Sequence, residues 1–270
     1  MYKLFDISGK VVVITGGTGV LGAAMVEYLS KHGAKVAVLA RNKEKGDTLI
    51  KKIRDQGGEA IFLVSDVNDK KILEKNRDDI LARYKKIDIL INGAGGNMPG
   101  ATVAPDQTIF DLDMDDFKTV VDLNLFGTVL PSMVFGASMA EKKEGSIINI
   151  SSGASLRPLT RVVGYGASKA AVNNFTNFMA TELATKFGEG LRVNAIAPGF
   201  FITEQNRTLL TQEDGSFTDR GKTIIAHTPF GRFGKPEELL GTLHWLASDA
   251  SRFVTGTLTV VDGGFNAFCI

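Results

Sequence analysis

The sequence predicts one α/β domain: a doubly wound, seven-stranded parallel sheet with helices on both faces. Two observations carry the prediction. Seven short runs rich in Val, Ile and Leu, at 10–15, 35–40, 59–65, 87–92, 146–151, 191–197 and 257–261, read as strands buried on both faces. Between them lie longer stretches with 3.6-residue periodicity, at 21–32, 43–56, 69–84, 115–141, 165–187 and 236–247, which read as helices. Strands alternating with helices build a parallel sheet through right-handed crossovers. The 270 residues suit a single domain spanning 1–270, and no repeat or linker divides them. The least regular stretch, about 200–235, suits a lid over a substrate.

Composition narrows the function classes. With 44% hydrophobic and 23% charged residues the chain is a folded globular protein, not a disordered one. A net charge of +1 supplies no bulk attraction to nucleic acid or an anionic membrane, so neither is expected as partner. No apolar run reaches the roughly 18 residues of a bilayer span, and residues 1–10 lack a signal core. The single cysteine, Cys269, cannot form an intrachain disulfide, which makes a reducing cytoplasm the expected compartment. No metal site is read.

The first strand ends in Thr15-Gly16-Gly17-Thr18-Gly19-Val20-Leu21-Gly22, directly before a helical pattern. Gly17, Gly19 and Gly22 form a GxGxxG run where a Rossmann-type sheet holds a dinucleotide. Small residues admit the pyrophosphate, and the helix N-terminus offers it N–H donors. Asp66-Val67 closes the third strand, where a carboxylate can accept from an adenine amino group. Asn92-Gly93-Ala94-Gly95 ends the fourth with little side-chain bulk. An acidic residue ending the second strand would bind the ribose 2′-hydroxyl of NAD. Ala40 stands there instead, followed by Arg41, which favours a 2′-phosphate and hence NADP(H), with NAD(H) still possible.

Carbonyl chemistry is suggested further along. Tyr165 and Lys169 are four apart on one predicted helix and share a face. Ser152 ends the fifth strand, so the three can meet at the sheet's carboxyl edge. A phenol titrating near 10 is a poor proton exchanger at neutrality. A lysine ammonium and an oxidised nicotinamide would both lower it. Ser152 can hold the substrate oxygen in line. Asn124, within the long segment 115–141, offers an amide that could hold a water relaying protons to Lys169.

Taken together, these pieces resemble the short-chain dehydrogenase/reductase family, almost end to end. The matching residues are Thr15-Gly16 through Gly22, Asp66-Val67, Asn92 to Gly95, Asn124, Ser152, Tyr165, Lys169, and Pro198-Gly199 with Thr203. The resemblance implies a catalytic tetrad of Asn124, Ser152, Tyr165 and Lys169. It also implies that Lys169 binds the nicotinamide ribose, that Ile202 and Thr203 contact the nicotinamide amide, and that the chain forms a homotetramer. Two departures stand out: Val20 replaces a usual glycine, with Gly19 one position earlier, and Gly93 replaces an asparagine.

Within the family the chain is most similar to the D-mannonate oxidoreductase, or fructuronate reductase, branch. The finer match runs through Ile91 to Asn97, Asp122 to Thr128, 197–207 (APGFFITEQNR) and His227 to Glu238. That branch interconverts D-fructuronate and D-mannonate and is usually written with NAD. A uronate calls for a cation at its carboxylate and amides at its hydroxyls. Arg157 or Arg207 is expected to meet the carboxylate, with Asn97, Gln205 and Asn206 beside the sugar. Alternative readings are a reductase of a gluconate-type acid or a 3-oxoacyl thioester, or a dinucleotide-sensing protein without turnover. The last has no need of Tyr165 and Lys169 at this spacing.

Overall fold

A computed structural model describes residues 3–204 and 206–268; Gln205 and Cys269 lie outside the described residues. Seven parallel strands form one sheet: β1 (Val11–Thr15), β2 (Lys35–Ala40), β3 (Glu59–Val64), β4 (Ile89–Asn92), β5 (Gly145–Ile150), β6 (Leu191–Pro198) and β7 (Leu258–Val261). Their order is β3-β2-β1-β4-β5-β6-β7, with in-register pairs such as Ile14↔Val38 and Ile14↔Ile91. Every residue of β1, β4 and β6 is buried, which is why these segments carry Val, Ile and Leu without polar alternation.

Successive side chains point to opposite faces and build two cores. Val12 and Ile14 pack with α1 (Val20–Lys31), α2 (Lys43–Asp55) and α9 (Leu240–Ala247), through Met25, Leu29, Ile53 and Leu243. Val11 and Val13 face α3 (Lys70–Tyr84), α5 (Gly127–Lys142) and α6 (Val163–Phe187), through Leu73, Phe135, Met139 and Leu183. The chain runs outward from β1 to β3, then returns to place β4 beside β1 on its other side. That reversal opens a crevice outside the strands' carboxyl ends.

The helical segment expected at 115–141 is divided. An α-helix, α4 (Met114–Val121), passes into a π turn at Asp122–Phe126 and then into α5. The whole stretch Met114–Lys142 is long and apolar enough to cross a membrane by length and composition alone. Half of its apolar window is buried within the protein. The helix expected at 236–247 opens as a 3-10 turn, Pro236–Leu239, before α9.

Two short helices, α7 (Arg207–Leu210) and α8 (Asp219–Ala226), lie in the segment expected to be irregular. They carry a small core of their own, Leu210, Ile224, Phe233 and Phe265, with Leu159 and Phe200 packed against it. Isolated bridges Phe201↔Gly234 and Thr211↔Phe217 close its ends.

Candidate active site

Helix α6 begins over the end of β5 and carries Tyr165 and Lys169 on one face. The Lys169 ammonium donates to the Ile150 carbonyl at 2.8 Å and lies 5.6 Å from the centre of the Tyr165 ring. Lys169 is 3% exposed, and burial pulls its pKa down to about 8. Burial also raises the Tyr165 phenol, while the Ser152 hydroxyl beside it acts in the opposite direction as a hydrogen-bond partner. The sequence reading expected the lysine to make the phenol more acidic. Among the protein's own groups burial prevails, because both residues are placed where charge is poorly solvated.

Ser152 does two jobs. Its hydroxyl accepts from the Ala154 N–H at 3.1 Å, starting a 3-10 turn at Gly153–Ser155, and it lines the cavity shared with Tyr165 and Lys169. Asn124 is fully buried in the π turn, which directs its amide toward the end of β4. That amide donates to the Gly96 carbonyl at 2.7 Å and to the Val120 carbonyl at 2.8 Å. Its oxygen accepts from the Gly96 N–H at 3.2 Å. The side chain expected to hold a relay water thus also fixes the glycine loop.

These groups converge on a cavity of about 320 Å³ outside the carboxyl ends of β4, β5 and β6. Gly93, Gly95 and Gly96 form one wall, Ser152 and Tyr165 another, and Pro198, Gly199 and Thr203 continue it. A nucleotide suits this edge. A Cβ at Gly95 would stand 2.8 Å from Asn124 Oδ1 and 3.2 Å from Lys169 Nζ, so only glycine keeps the floor open. At the β1 turn Gly16 takes φ +68, and a Cβ at Gly22 would collide with the Gly16 carbonyl. A Cβ at Gly19 would meet the Gly16 carbonyl at an ordinary 3.5 Å, so space does not demand glycine at that position. Gly19 caps α1 without a side-chain bond, leaving Val20 and Leu21 to present the first helical N–H groups, with Gly17 and Thr18 in the turn before them. Thr15 Oγ1 accepts from the Gly93 and Ala94 N–H groups, each at 3.2 Å, tying this turn to the β4 loop.

The other expected contacts are placed as follows. Arg41 is exposed after Ala40 at the end of β2, with no ion-pair partner among the described residues. Asp66 is exposed and accepts from the Asn68 N–H at 2.9 Å, while Val67 is buried against Gly127. Asn92 turns away from the cavity: its amide donates to Ser132 and Asn149 at 2.8 Å in a buried network between β4, β5 and α5. Ile202 packs against the small core of Leu210, Ile224, Phe233 and Phe265. The Thr203 N–H donates to Asn206 Oδ1 at 2.7 Å, and the Asn206 amide donates to the Phe201 carbonyl at 2.8 Å, so Asn206 braces its own loop at the cavity edge. Asn97 lines the cavity and donates to Thr102 Oγ1 at 2.9 Å.

The two arginines expected at the carboxylate do not line the cavity. Arg157 donates to the Phe265 and Phe268 carbonyls at 2.9 and 3.4 Å, stacked over the Phe265 ring, and holds the C-terminal segment. Arg207 is exposed on α7. The arginine that does line the cavity is Arg220 of α8, which donates to the Thr160 hydroxyl and carbonyl, both at 3.1 Å. Nothing in the local sequence marks Arg220, since its neighbours in the site come from the connection before α6.

The family model for short chain dehydrogenase matches residues 10–214. The chain is 48% identical to an uncharacterized oxidoreductase, UxuB, of Bacillus subtilis (strain 168), over 97% of both chains. A crystal structure from Haemophilus influenzae with bound NAD, provisionally named a D-mannonate oxidoreductase, is 40% identical. It superposes with a TM-score of 0.92 over 98% of this chain and 97% of that one. A gluconate 5-dehydrogenase of Burkholderia cenocepacia J2315, in complex with NADP and tartrate, is 32% identical, with a TM-score of 0.88 over 99% of both chains.

Proposed function

The chain belongs to the short chain dehydrogenase family, nicotinamide-dependent oxidoreductases acting on CH–OH groups, and we propose that its substrate pair is D-fructuronate and D-mannonate. The observation that carries the reading is the convergence of Ser152, Tyr165 and Lys169 on one cavity beside a glycine-walled crevice. The names of the Haemophilus protein and of the gluconate 5-dehydrogenase support a sugar acid.

The nicotinamide, when bound, supplies or receives the hydride at the substrate carbon. In reduction, Tyr165 gives its hydroxyl proton to the carbonyl oxygen, and Ser152 donates a hydrogen bond that holds that oxygen in line. Each turnover consumes one carbonyl, one reduced nicotinamide and one proton, and yields one alcohol and one oxidised nicotinamide. Lys169, beside the Tyr165 ring, would hold the nicotinamide ribose. Asn124 keeps the Gly95-Gly96 loop clear of both. Arg41, with no carboxylate at Ala40, gives the site its preference for NADP(H), and NAD(H) is the weaker partner.

A second reading, a reductase of a 3-oxoacyl thioester, is favoured by the apolar side of the cavity, where Leu159, Val162, Phe200 and Leu209 stand. One assay separates the two. Uronates, aldonates, gluconates and a short acyl thioester are each offered with the four nicotinamide cofactors, and reduced-cofactor absorbance is followed. Turnover of fructuronate and mannonate well above the rest is expected. Turnover of the thioester alone would overturn the sugar-acid reading.

A further inference from the structure

Arg220 is an arginine without an acid. It projects from α8 into the wall of the catalytic cavity and is neither fully buried nor exposed. Its guanidinium meets only the hydroxyl and carbonyl of Thr160, both neutral acceptors. No carboxylate lies within ion-pair distance among the described residues, whereas two neighbouring cations of the same segment find one: Lys222 pairs with Asp219, and Arg232 with Glu238. Burial first, and then the like charge of Arg161, lower the pKa of the Arg220 guanidinium. A partly desolvated cation beside a second cation is unfavourable until an anion joins it.

The backbone around this pair is also unusual. Arg161 takes φ +79 without being glycine, in the short connection that delivers Tyr165. Its carbonyl is held by the Val103 N–H at 3.0 Å. Such a conformation is costly for a side-chain-bearing residue and persists where the surrounding structure enforces it. Thr160 and Arg161 lie between Leu159 and Val162, which line the cavity, and Thr160 orients the fork of Arg220 there. A guanidinium held at two of its nitrogens by Thr160 presents its remaining N–H donors as a planar set, the geometry that matches a carboxylate.

We propose that Arg220 is the residue that binds the substrate carboxylate, with Arg161 adding positive potential, so that the enzyme selects hydroxy- and keto-acids bearing a carboxylate away from the reacting carbon. The inference rests on the sugar-acid reading and gives it a residue. It also gives α8 a function: the carboxylate, joined to Arg220 and so to Thr160, ties the lid segment to the connection that carries Tyr165. The apolar wall then packs the carbon chain between its charged end and its reacting end.

The test compares wild type with Arg220→Gln and Arg220→Lys on two substrates that differ only at the distal group. D-fructuronate bears the carboxylate, and D-fructose bears a hydroxymethyl there. Calorimetric binding of D-mannonate to each enzyme with oxidised cofactor is measured alongside. For Arg220→Gln the proposal expects kcat/KM on fructuronate to fall on the order of 10²-fold, mainly through KM, and mannonate affinity to fall in parallel. Turnover of fructose should stay within about threefold. Arg220→Lys retains the charge without the fork and should recover roughly a tenth or more of the lost affinity, which also keeps the test open if the glutamine variant folds poorly. Unchanged mannonate binding and fructuronate KM in both variants would overturn the proposal while leaving the sugar-acid reading intact. Equal losses on both ketoses would also overturn it, by making Arg220 a latch only. If wild type binds and reduces neutral carbonyls but no carboxylate, the sugar-acid reading fails and this inference fails with it.

Discussion

Lys169 is held in the interior by one backbone carbonyl, and its altered acidity is a property that can be measured without any substrate. The folded chain releases this proton at about 8, whereas the unfolded chain keeps it up to the ordinary 10.5. Between those values the unfolded state binds more protons, so stability rises with pH across that window. Compared with Lys169→Met, wild type should gain about 3 kcal/mol of unfolding free energy from pH 7.5 to pH 10.5. Urea unfolding at both ends checks this, and a constant difference between the two proteins would contradict it. Arg41 yields a second expectation at this scale. Arg41→Ala should lower kcat/KM with NADPH by about 10- to 100-fold, the loss of one charge-assisted pair, and leave NADH nearly unaffected. An equal effect on both cofactors would remove Arg41 from the 2′-phosphate.

Among elements, the π turn at Asp122–Phe126 is the one on which the site's floor depends. It brings Asn124 inward, and that single amide satisfies the N–H and C=O of Gly96 as well as the Val120 carbonyl. Asn124→Ala leaves these buried groups without partners at about 1–3 kcal/mol each. We expect it to lower stability by roughly 3 kcal/mol and turnover with it, as read by denaturant unfolding and steady-state rates. A stable, fully active variant would show the loop to be self-supporting. The strands were legible from sequence because the central ones are buried on both faces, so apolar runs mark them nearly to the residue; the edge strands β3 and β7 carry the same apolar run but are only partly buried, a correction to the expectation of two covered faces. The π turn was not, because Asp122-Leu123-Asn124-Leu125-Phe126 keeps an ordinary helical pattern while its hydrogen bonds shift by one residue. Arg157 and Arg220 show the same limit. Arg157 sits five residues past Ser152 in sequence, yet the C-terminal carbonyls claim it. Arg220 is distant in sequence and reaches the cavity only through the packing of α8.

At the scale of the whole molecule, large apolar side chains remain exposed on the helices that flank the sheet. Phe126 is 52%, Met133 61% and Phe178 66% exposed. Exposed apolar side chains mark an interface where they cluster, and these residues lie on the π turn at Asp122–Phe126, on α5 and on α6. The expected particle is a homotetramer, four times the 29.0 kDa chain, with Met133→Glu combined with Phe178→Glu producing smaller species. Sedimentation velocity at micromolar concentration reads both, and a monomeric wild type would contradict the expectation. The crevice at the β1–β4 reversal and the cavity lined by Ser152, Tyr165 and Lys169 both lie outside the carboxyl ends of the strands, so the groups suited to chemistry are gathered at one edge of the sheet.

The account depends most on Tyr165 as the group that exchanges a proton with the substrate oxygen. Its direct test is Tyr165→Phe, which removes one oxygen from a residue whose ring packing is otherwise preserved. Turnover should fall by about 10³-fold or more, while the dissociation constant for the reduced cofactor, followed by nucleotide fluorescence, stays within about threefold. A Tyr165→Phe enzyme that turns over at near wild-type rate would contradict it.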